Sequence, residues 1–500
     1  MPPSTRELAL GPCTKAAGVS VRGVTQLHDL TALEQAAAVR AGEVSPTELV
    51  DHALARIDAL DAGLGAFITV TPERARAAAT AAEARVREGG DLPPLLGVPT
   101  AIKDLNNTAG VPTSFGSTAM AGFVPEVDDA VVTRLADAGT ISVGKTSTPE
   151  FGFPCYTDND LVGPARCPWD PSLLAGGSSG GAAVAVAAGF VPFAQGSDGG
   201  GSVRIPASIN GLVGIKPTRG RVSNAPYGSE VTGLGTSGPL ARTVRDAAAM
   251  LDAMAGPEIG DPYWAPPLSP GETFLGWADR EPGRLRIGRF LESVMPGAEL
   301  EPEVAGALED AAGLLADLGH DVEDVPHGVL EPAVLPSFER VWSLSATMLP
   351  VPPDRLDQLR PLTAWMRDRG LALSARDAME AMGALRVFSR RFLRATAGFD
   401  VLLAPVLSMT PRPIGWFGAD GEGGPDFERQ KRYAAFTALF NVTGQPAVSV
   451  PLHWTDGNLP IGTMLVGRPA DEATLVALSA QLEAARPWAA RHPAAWTEGR

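Results

Sequence analysis

A-G-G-S-S-G-G-A-A-V-A-V-A-A-G-F-V-P-F-A-Q-G-S-D-G-G-G-S-V-R-I-P-A-S-I-N-G-L-V-G, residues Ala175 to Gly214, is the stretch on which the reading of this chain turns. It frames two serines with glycine, Ser178 and Ser202, 24 positions apart. Glycine permits tight turns and close approaches closed to other residues, so serine hydroxyls and backbone N–H groups in such a tract stay open to a ligand. The small residues near 179 to 189 predict a helix and Phe190 to Gly196 a strand. The tract reads as the floor of a catalytic site.

Upstream, L-L-G-V-P-T-A-I-K-D (Leu95 to Asp104) is an apolar, partly β-branched run that predicts a buried strand over 95 to 103, ending in Lys103. The chain has 41 Lys plus Arg but only five lysines, at 15, 103, 145, 216 and 431, so arginine carries nearly all the surface charge. A lysine kept at the end of an apolar strand points to chemistry, because lysine, unlike arginine, loses its proton when desolvated. Strand alternation turns the neighbouring Asp104 to the opposite face.

Lys103, G-G-S-S-G-G (Gly176 to Gly181), D-G-G-G-S-V-R (Asp198 to Arg204) and G-L-V-G-I-K-P-T (Gly211 to Thr218) together resemble the amidase signature family. The likeness runs from about Leu30 to the C-terminus, where F-N-V-T-G-Q-P-A-V-S-V-P (Phe440 to Pro451) is similar to the family's closing strand region. G-S-V-R-I-P-A-S and F-N-V-T-G-Q-P-A look closest to its broad-range bacterial amidases and nylon-oligomer cyclic-dimer hydrolases. The resemblance implies an α/β fold: a large mixed β-sheet covered by helices on both faces, with a helical, substrate-facing insertion at about 330 to 397. It implies Ser202 as nucleophile, Ser178 as a bridging serine after a cis Gly177–Ser178 peptide, and Lys103 as base. Serine–lysine systems are a known variant of triad logic. Gly199, Gly200 and Gly201 can aim successive N–H groups at one point, as an oxyanion hole requires. Ser179, Asp198 and Arg204 take supporting positions, and Phe153 a position that lines the acyl pocket. Gly199 stands where the family has Ile or Thr, a departure that either loosens the hole or widens the pocket. The expected activity is amide hydrolysis through a seryl acyl-enzyme, with aryl amides, cyclic amides, esters and carbamates served by the same apparatus. No metal and no organic cofactor are expected. The alternative is a tRNA-dependent amidotransferase A subunit, a partner-bound glutaminase module.

The net charge of −16 argues against nucleic acid and anionic membrane as partners, since both would be repelled. The expected partner is a small-molecule amide, and a homodimer is left open. Three cysteines (Cys13, Cys155, Cys167) and no CxxC or Cys/His cluster fit a reducing, cytoplasmic setting without structural zinc. M-P-P-S-T-R-E-L is not a secretory signal. Residues 1 to 27 are expected to be a loose leader and 28 to 500 a single catalytic domain, because no linker or charge block divides them.

Thr31-x-x-Glu34 and Ser45-Pro46-Thr47-Glu48 carry N-cap signatures, and Thr71-Pro72-Glu73 opens a third helix. Helices near 128 to 138, 242 to 255 and 302 to 318 then alternate with strands at 140 to 144, 284 to 289, 320 to 325 and 400 to 404. Such alternation predicts a parallel or mixed sheet.

Three other motifs lead elsewhere. G-T-I-S-V-G-K-T (Gly139 to Thr146) fits a phosphate loop, but its interior is strand-like and a helix precedes it, where strand, loop, helix is required. Ser142 to Lys145 fits S-x-x-K without a helix start. Gly176 to Gly180 fits the G-x-S-x-G elbow, which needs a preceding strand and a downstream histidine. The approach is Pro168-Trp169-Asp170-Pro171, and His320, His327, His453 and His492 sit in no distinctive motif.

Overall fold

Thr31 and Ser45 open the first two helices, α1 (Ala32–Ala41) and α2 (Pro46–Leu64), each as a full capping box closed by Glu34 and Glu48. Each box satisfies orphan N–H groups of the first turn from both ends. The computed structural model describes residues 26 to 498 except 229, 230, 294, 296, 332 and 333. The expected leader over 1 to 27 therefore lies, but for Gln26 and Leu27, outside the described residues, as does Cys13. The third helix, α3 (Pro72–Glu88), starts on its proline, without a side-chain cap from Thr71.

Three strands, β1 (Phe67–Val70), β2 (Pro99–Lys103) and β3 (Ile141–Thr146), form a small sheet in the order β1-β3-β2. The remaining large sheet has eight strands: β4 (Phe193–Asp198), β5 (Val213–Lys216), β6 (Thr236–Ala241), β7 (Arg286–Arg289), β8 (Asp321–Asp324), β9 (Val401–Pro405), β10 (Ala447–Trp454) and β11 (Pro460–Gly467). Their order is β8-β7-β9-β11-β10-β5-β6-β4. Only the β8-β7-β9 pairings are parallel, so the sheet is mixed.

Alternation along the strands shows that both faces are covered. Val401 and Leu403 of β9 join one apolar cluster, with α4 (Ala130–Asp137), α7 (Val244–Met254) and the helix Pro302–Asp317. Leu402 and Ala404 join the opposite cluster, with the insertion helix Ala375–Ala395. A period of two with apolar residues on both sides is the signature of a strand buried on both faces.

The strand carrying Lys103 is shorter than the sequence suggests, beginning at Pro99, because Leu95 to Gly97 turn. It also belongs to the small sheet, not the large one. Side chains join the two: Lys103 N–H donates to Gln195 Oε1 at 2.9 Å and Thr100 Oγ1 to Phe193 O at 3.2 Å, both on edge strand β4.

A strand does precede the Gly176 turn, contrary to the sequence reading. Asp170–Leu174 pairs with Arg166–Cys167 in a two-stranded ribbon, whose free edges tolerate Pro171. The phosphate-loop candidate becomes β3, with α4 before it, as its strand-like interior predicted.

Candidate active site

Two loops and one strand end meet at the site. The helix α5 (Gly180–Ala187) is built only from Gly, Ala and Val, and every one of its residues is buried. Small residues are needed there: a Cβ on Gly181 would lie 2.4 Å from Ala66 O and Ser147 N. The helix thus sinks into the core and brings Ser178 and Ser179, just before its first turn, beside Lys103. The Gly177–Ser178 peptide is cis.

Lys103 is fully buried among hydroxyls. Its Nζ lies 2.7 Å from Ser178 Oγ, 2.9 Å from Ser179 Oγ and 3.0 Å from Ser197 Oγ. Burial penalises the ammonium form and pushes the Lys103 pKa down to about 7; the Asp198 carboxylate opposes this only in part. Asp104 does turn to the other face, where it pairs with Lys145 Nζ at 3.3 Å and accepts from Ser114.

Ser202 sits at the end of the glycine loop that leaves β4, before α6 (Arg204–Asn210). Its carbonyl accepts from Ser179 N–H at 3.1 Å, which ties the two serine segments together. Its hydroxyl takes no hydrogen-bond partner among the described residues.

Asp198 and Arg204 brace this loop. Arg204 Nε and Nη2 donate to Asp198 at 3.0 and 2.8 Å, both residues fully buried. Burial alone would raise the Asp198 carboxyl; the guanidinium beside it and its hydrogen bonds hold it well below the usual carboxylate range. Asp198 also accepts from Gly201 N–H at 2.8 Å and Val203 N–H at 3.1 Å. This corrects the expectation for the three glycines: the Gly201 amide is turned inward, because the carboxylate closes the loop from below. Gly199 lines a large cleft and Gly200 an apolar cavity beside it.

Two cavities flank the serines. One, of about 90 Å³, is lined by Ser202, Gly200, Phe153, Phe338, Leu335 and Leu439 among others and is almost wholly apolar. Its polar members are engaged elsewhere: Gln430 with Cys155 and Asp426, Lys431 with Glu339 and Glu428. The other, of about 910 Å³, is lined by Ser178, Ser197, Gly199, Asn107, Phe123 and Tyr227 among others. Trp342 lines both.

The structure therefore brings together Lys103, Ser178, Ser179, Asp198, Gly199, Gly200, Gly201, Ser202 and Arg204, with Phe153 on the apolar cavity. The four downstream histidines lie elsewhere: His320 bonds Gln481, His327 faces Glu292, His453 faces Asp310 and His492 stacks on Trp496. Among the described residues, no group of three His, Cys, Asp or Glu could hold a metal ion. Nor is any helix long and apolar enough to cross a membrane.

Sequence reasoning missed Gln195, Ser197 and Asn441. Gln195 and Ser197 are two apart on β4, and the period of two puts both on the face toward Lys103. Asn441 donates to Asp198 Oδ1 and accepts from Arg204, a contact across more than 230 residues that no local pattern signals.

A buried lysine is thus hydrogen-bonded to Ser178 on the large cleft, and Ser202 lines the apolar cavity beside it. The chain belongs to the amidase family, whose pattern matches residues 48 to 476. It is a hydrolase of carbon–nitrogen bonds other than peptide bonds. The 6-aminohexanoate-cyclic-dimer hydrolase of Paenarthrobacter ureafaciens is 35% identical over 494 residues, covering 93% of this chain and 96% of that protein. A solved structure of 6-aminohexanoate cyclic dimer hydrolase with its substrate superposes with a TM-score of 0.87 at 33% identity, covering 94% and 100% of the two chains. A bacterial aryl acylamidase superposes with a TM-score of 0.84 at 29% identity, covering 92% and 97%.

Proposed function

We propose that the chain hydrolyses amides through a Ser202 acyl-enzyme, with Ser178 and Lys103 as the proton path. Neutral Lys103 takes the Ser178 proton across the 2.7 Å contact while Ser178 takes that of Ser202, and Ser202 Oγ attacks the carbonyl carbon. The N–H groups of Gly199 and Gly200 are the donors for the resulting oxyanion. The C–N bond breaks as Ser178 protonates the amine, and Lys103 returns the proton to Ser178. Water then attacks the acyl-enzyme by the same path, releasing carboxylate.

The observation that carries this reading is the Lys103 amine, buried with its pKa down near 7 and bonded only to hydroxyls and a carbonyl. Because Ser178 protonates the leaving amine, the amine side of the substrate belongs to the large cleft that Ser178 lines. The acyl side belongs to the apolar cavity beside Ser202. At about 90 Å³ it is smaller than the roughly 150 Å³ apolar cavity known to take benzene, which favours a short aliphatic acyl group. The likeness to a cyclic-dimer hydrolase and an aryl acylamidase supports cyclic and aryl amides, with esters and carbamates as side substrates. Glutamine, the substrate of an amidotransferase A subunit, would need partners for its ammonium and carboxylate, and the apolar cavity offers none. That alternative is not favoured.

Labelling with a serine-reactive fluorophosphonate and mapping the adduct tests the assignment. The adduct is expected on Ser202, and Ser202→Ala is expected to keep the fold and lose turnover. An adduct on Ser178 would transfer the nucleophile's role to the Gly176–Gly180 turn.

A further inference from the structure

The small acyl-side cavity and the large amine-side cleft lie on either side of one residue, Trp342 on the insertion helix Val334–Ser345, which lines both. Its indole is fixed from the acyl side: it stacks on Phe338 with ring centroids 5.6 Å apart and meets Phe153 edge-on at 5.5 Å. Aromatic pairs at such spacings resist rotation, since both partners lose contact when the ring turns. On its other side the indole reaches the glycine loop. A Cβ built on Gly199 would lie 3.1 Å from Trp342 Cη2 and 3.3 Å from Cζ3, and nothing else comes within 4 Å of it.

Gly199 does not have the positive φ that Gly201 has, so its backbone suits any residue. What glycine supplies at 199 is space, and the group using that space is the Trp342 ring. The sequence left open a loosened oxyanion loop or a widened pocket; the space at 199 is instead filled by the indole.

We propose that Trp342, seated against the bare face of Gly199, is the wall that separates the acyl pocket from the amine cleft and sets the upper size of the acyl group. The proposal rests on the amide-hydrolysis reading above for the identity of the two sides. Removing the indole joins a cavity of about 90 Å³ to one of about 910 Å³, so bulky acyl groups gain room and short ones lose their contacts. A side chain at 199 has the same consequence indirectly, because the ring must give way to it.

The test compares kcat/KM for p-nitroanilides of acetic, butyric, hexanoic and benzoic acids in the wild type, Trp342→Ala and the milder Trp342→Phe. Hydrophobic pockets discriminate by about tenfold or more per misfitting group. The benzoyl-to-butyryl ratio is therefore expected to rise by about tenfold in Trp342→Ala, with Trp342→Phe between. Gly199→Ala displaces the ring and is expected to raise the benzoyl-to-butyryl ratio by about tenfold beside Trp342, whatever its effect on the absolute rate, and to leave that ratio within about twofold in the Trp342→Ala background, as coupled neighbours behave. An equal loss across all four acyl groups, or an equal change of that ratio by Gly199→Ala in both backgrounds, overturns the proposal. Thermal shift with butyrate against benzoate gives the same size comparison without turnover. If no anilide is hydrolysed by the wild type, the amide reading fails, and the carboxylate comparison still decides on Trp342: a preference for benzoate gained in Trp342→Ala upholds the wall, and an unchanged preference removes it.

Discussion

In the proposed relay, Lys103 fixes how the rate depends on pH. As a base it acts only when neutral, and an ordinary lysine, with a pKa of about 10.4, is neutral in roughly one molecule in 2,500 at pH 7. Burial lowers the Lys103 value to about 7, so about half the molecules are ready at neutral pH, a gain of about a thousandfold. In free energy the shift is on the order of 5 kcal/mol. Because the folded value lies below the unfolded one, this burial opposes folding in full below about pH 7. The opposition fades as the pH rises toward the unfolded lysine's value. The rate follows the neutral fraction: kcat/KM on a short acyl anilide should climb about tenfold per unit below pH 6 and level above pH 8, about ninetyfold in all from pH 5 to 8. Initial rates between pH 5 and 9, with far-ultraviolet circular dichroism at each pH to show an intact fold, measure this. Lys103→Ala should cost about 10² to 10⁴ in kcat, the usual range for a lost general base. Lys103→Arg should not restore it, because arginine keeps its proton. A flat profile over this range, a rate still climbing about tenfold per unit at pH 9, or near-normal turnover by the arginine variant would refute the relay.

The buried Asp198–Arg204 pair should be unforgiving: Arg204→Met leaves a buried carboxylate unpaired and is expected to cost about 3 to 5 kcal/mol, read as a fall in the urea midpoint at pH 7. A fall equivalent to under about 1 kcal/mol would mean that Asn441 and the loop amides hold Asp198 alone. Exhaustive dialysis against a chelator is expected to leave kcat unchanged, because the proposed steps use only side chains and backbone; loss of activity restored by a divalent ion would contradict them.

What was legible in the sequence was local. Capping boxes at Thr31 and Ser45, the strand character of Gly139 to Thr146 and the turn of Asp104 to the face opposite Lys103 each follow from a short-range rule, and each appears in the structure. The strand before Gly176 was missed because a two-stranded ribbon asks too little of its residues to leave a signal, and its edges accept proline. The inward turn of the Gly201 amide was missed because nothing in D-G-G-G-S says which acceptor its N–H will find. That is decided by a carboxylate held from residue 441. Trp342 is similar: its place against Gly199 comes from the packing of the insertion helix on Phe153, nearly 190 positions away.

The lysines show why placement, and not burial by itself, marks the site. Lys103, Lys145 and Lys216 are all buried, and burial lowers all three. Lys145 faces the Asp104 carboxylate, so its charge has a partner, and the hydroxyl it donates to, that of Thr113, lines neither cavity at the serines. Lys216 is pushed down to about 7, as Lys103 is, yet its amine donates to the Pro217 carbonyl, which accepts and has no proton to give, and it lines neither cavity at the serines. A depressed pKa makes a lysine able to act as a base; a hydroxyl chain ending at an open cavity gives it something to act on. Only Lys103 has both, through Ser178, and it reaches them because the glycine tract lets the strand end, the Ser178 turn and the Ser202 loop converge on one amine. The spacing of 24 residues between the two serines is the length of chain that one buried helix, one edge strand and one glycine loop require to bring them together.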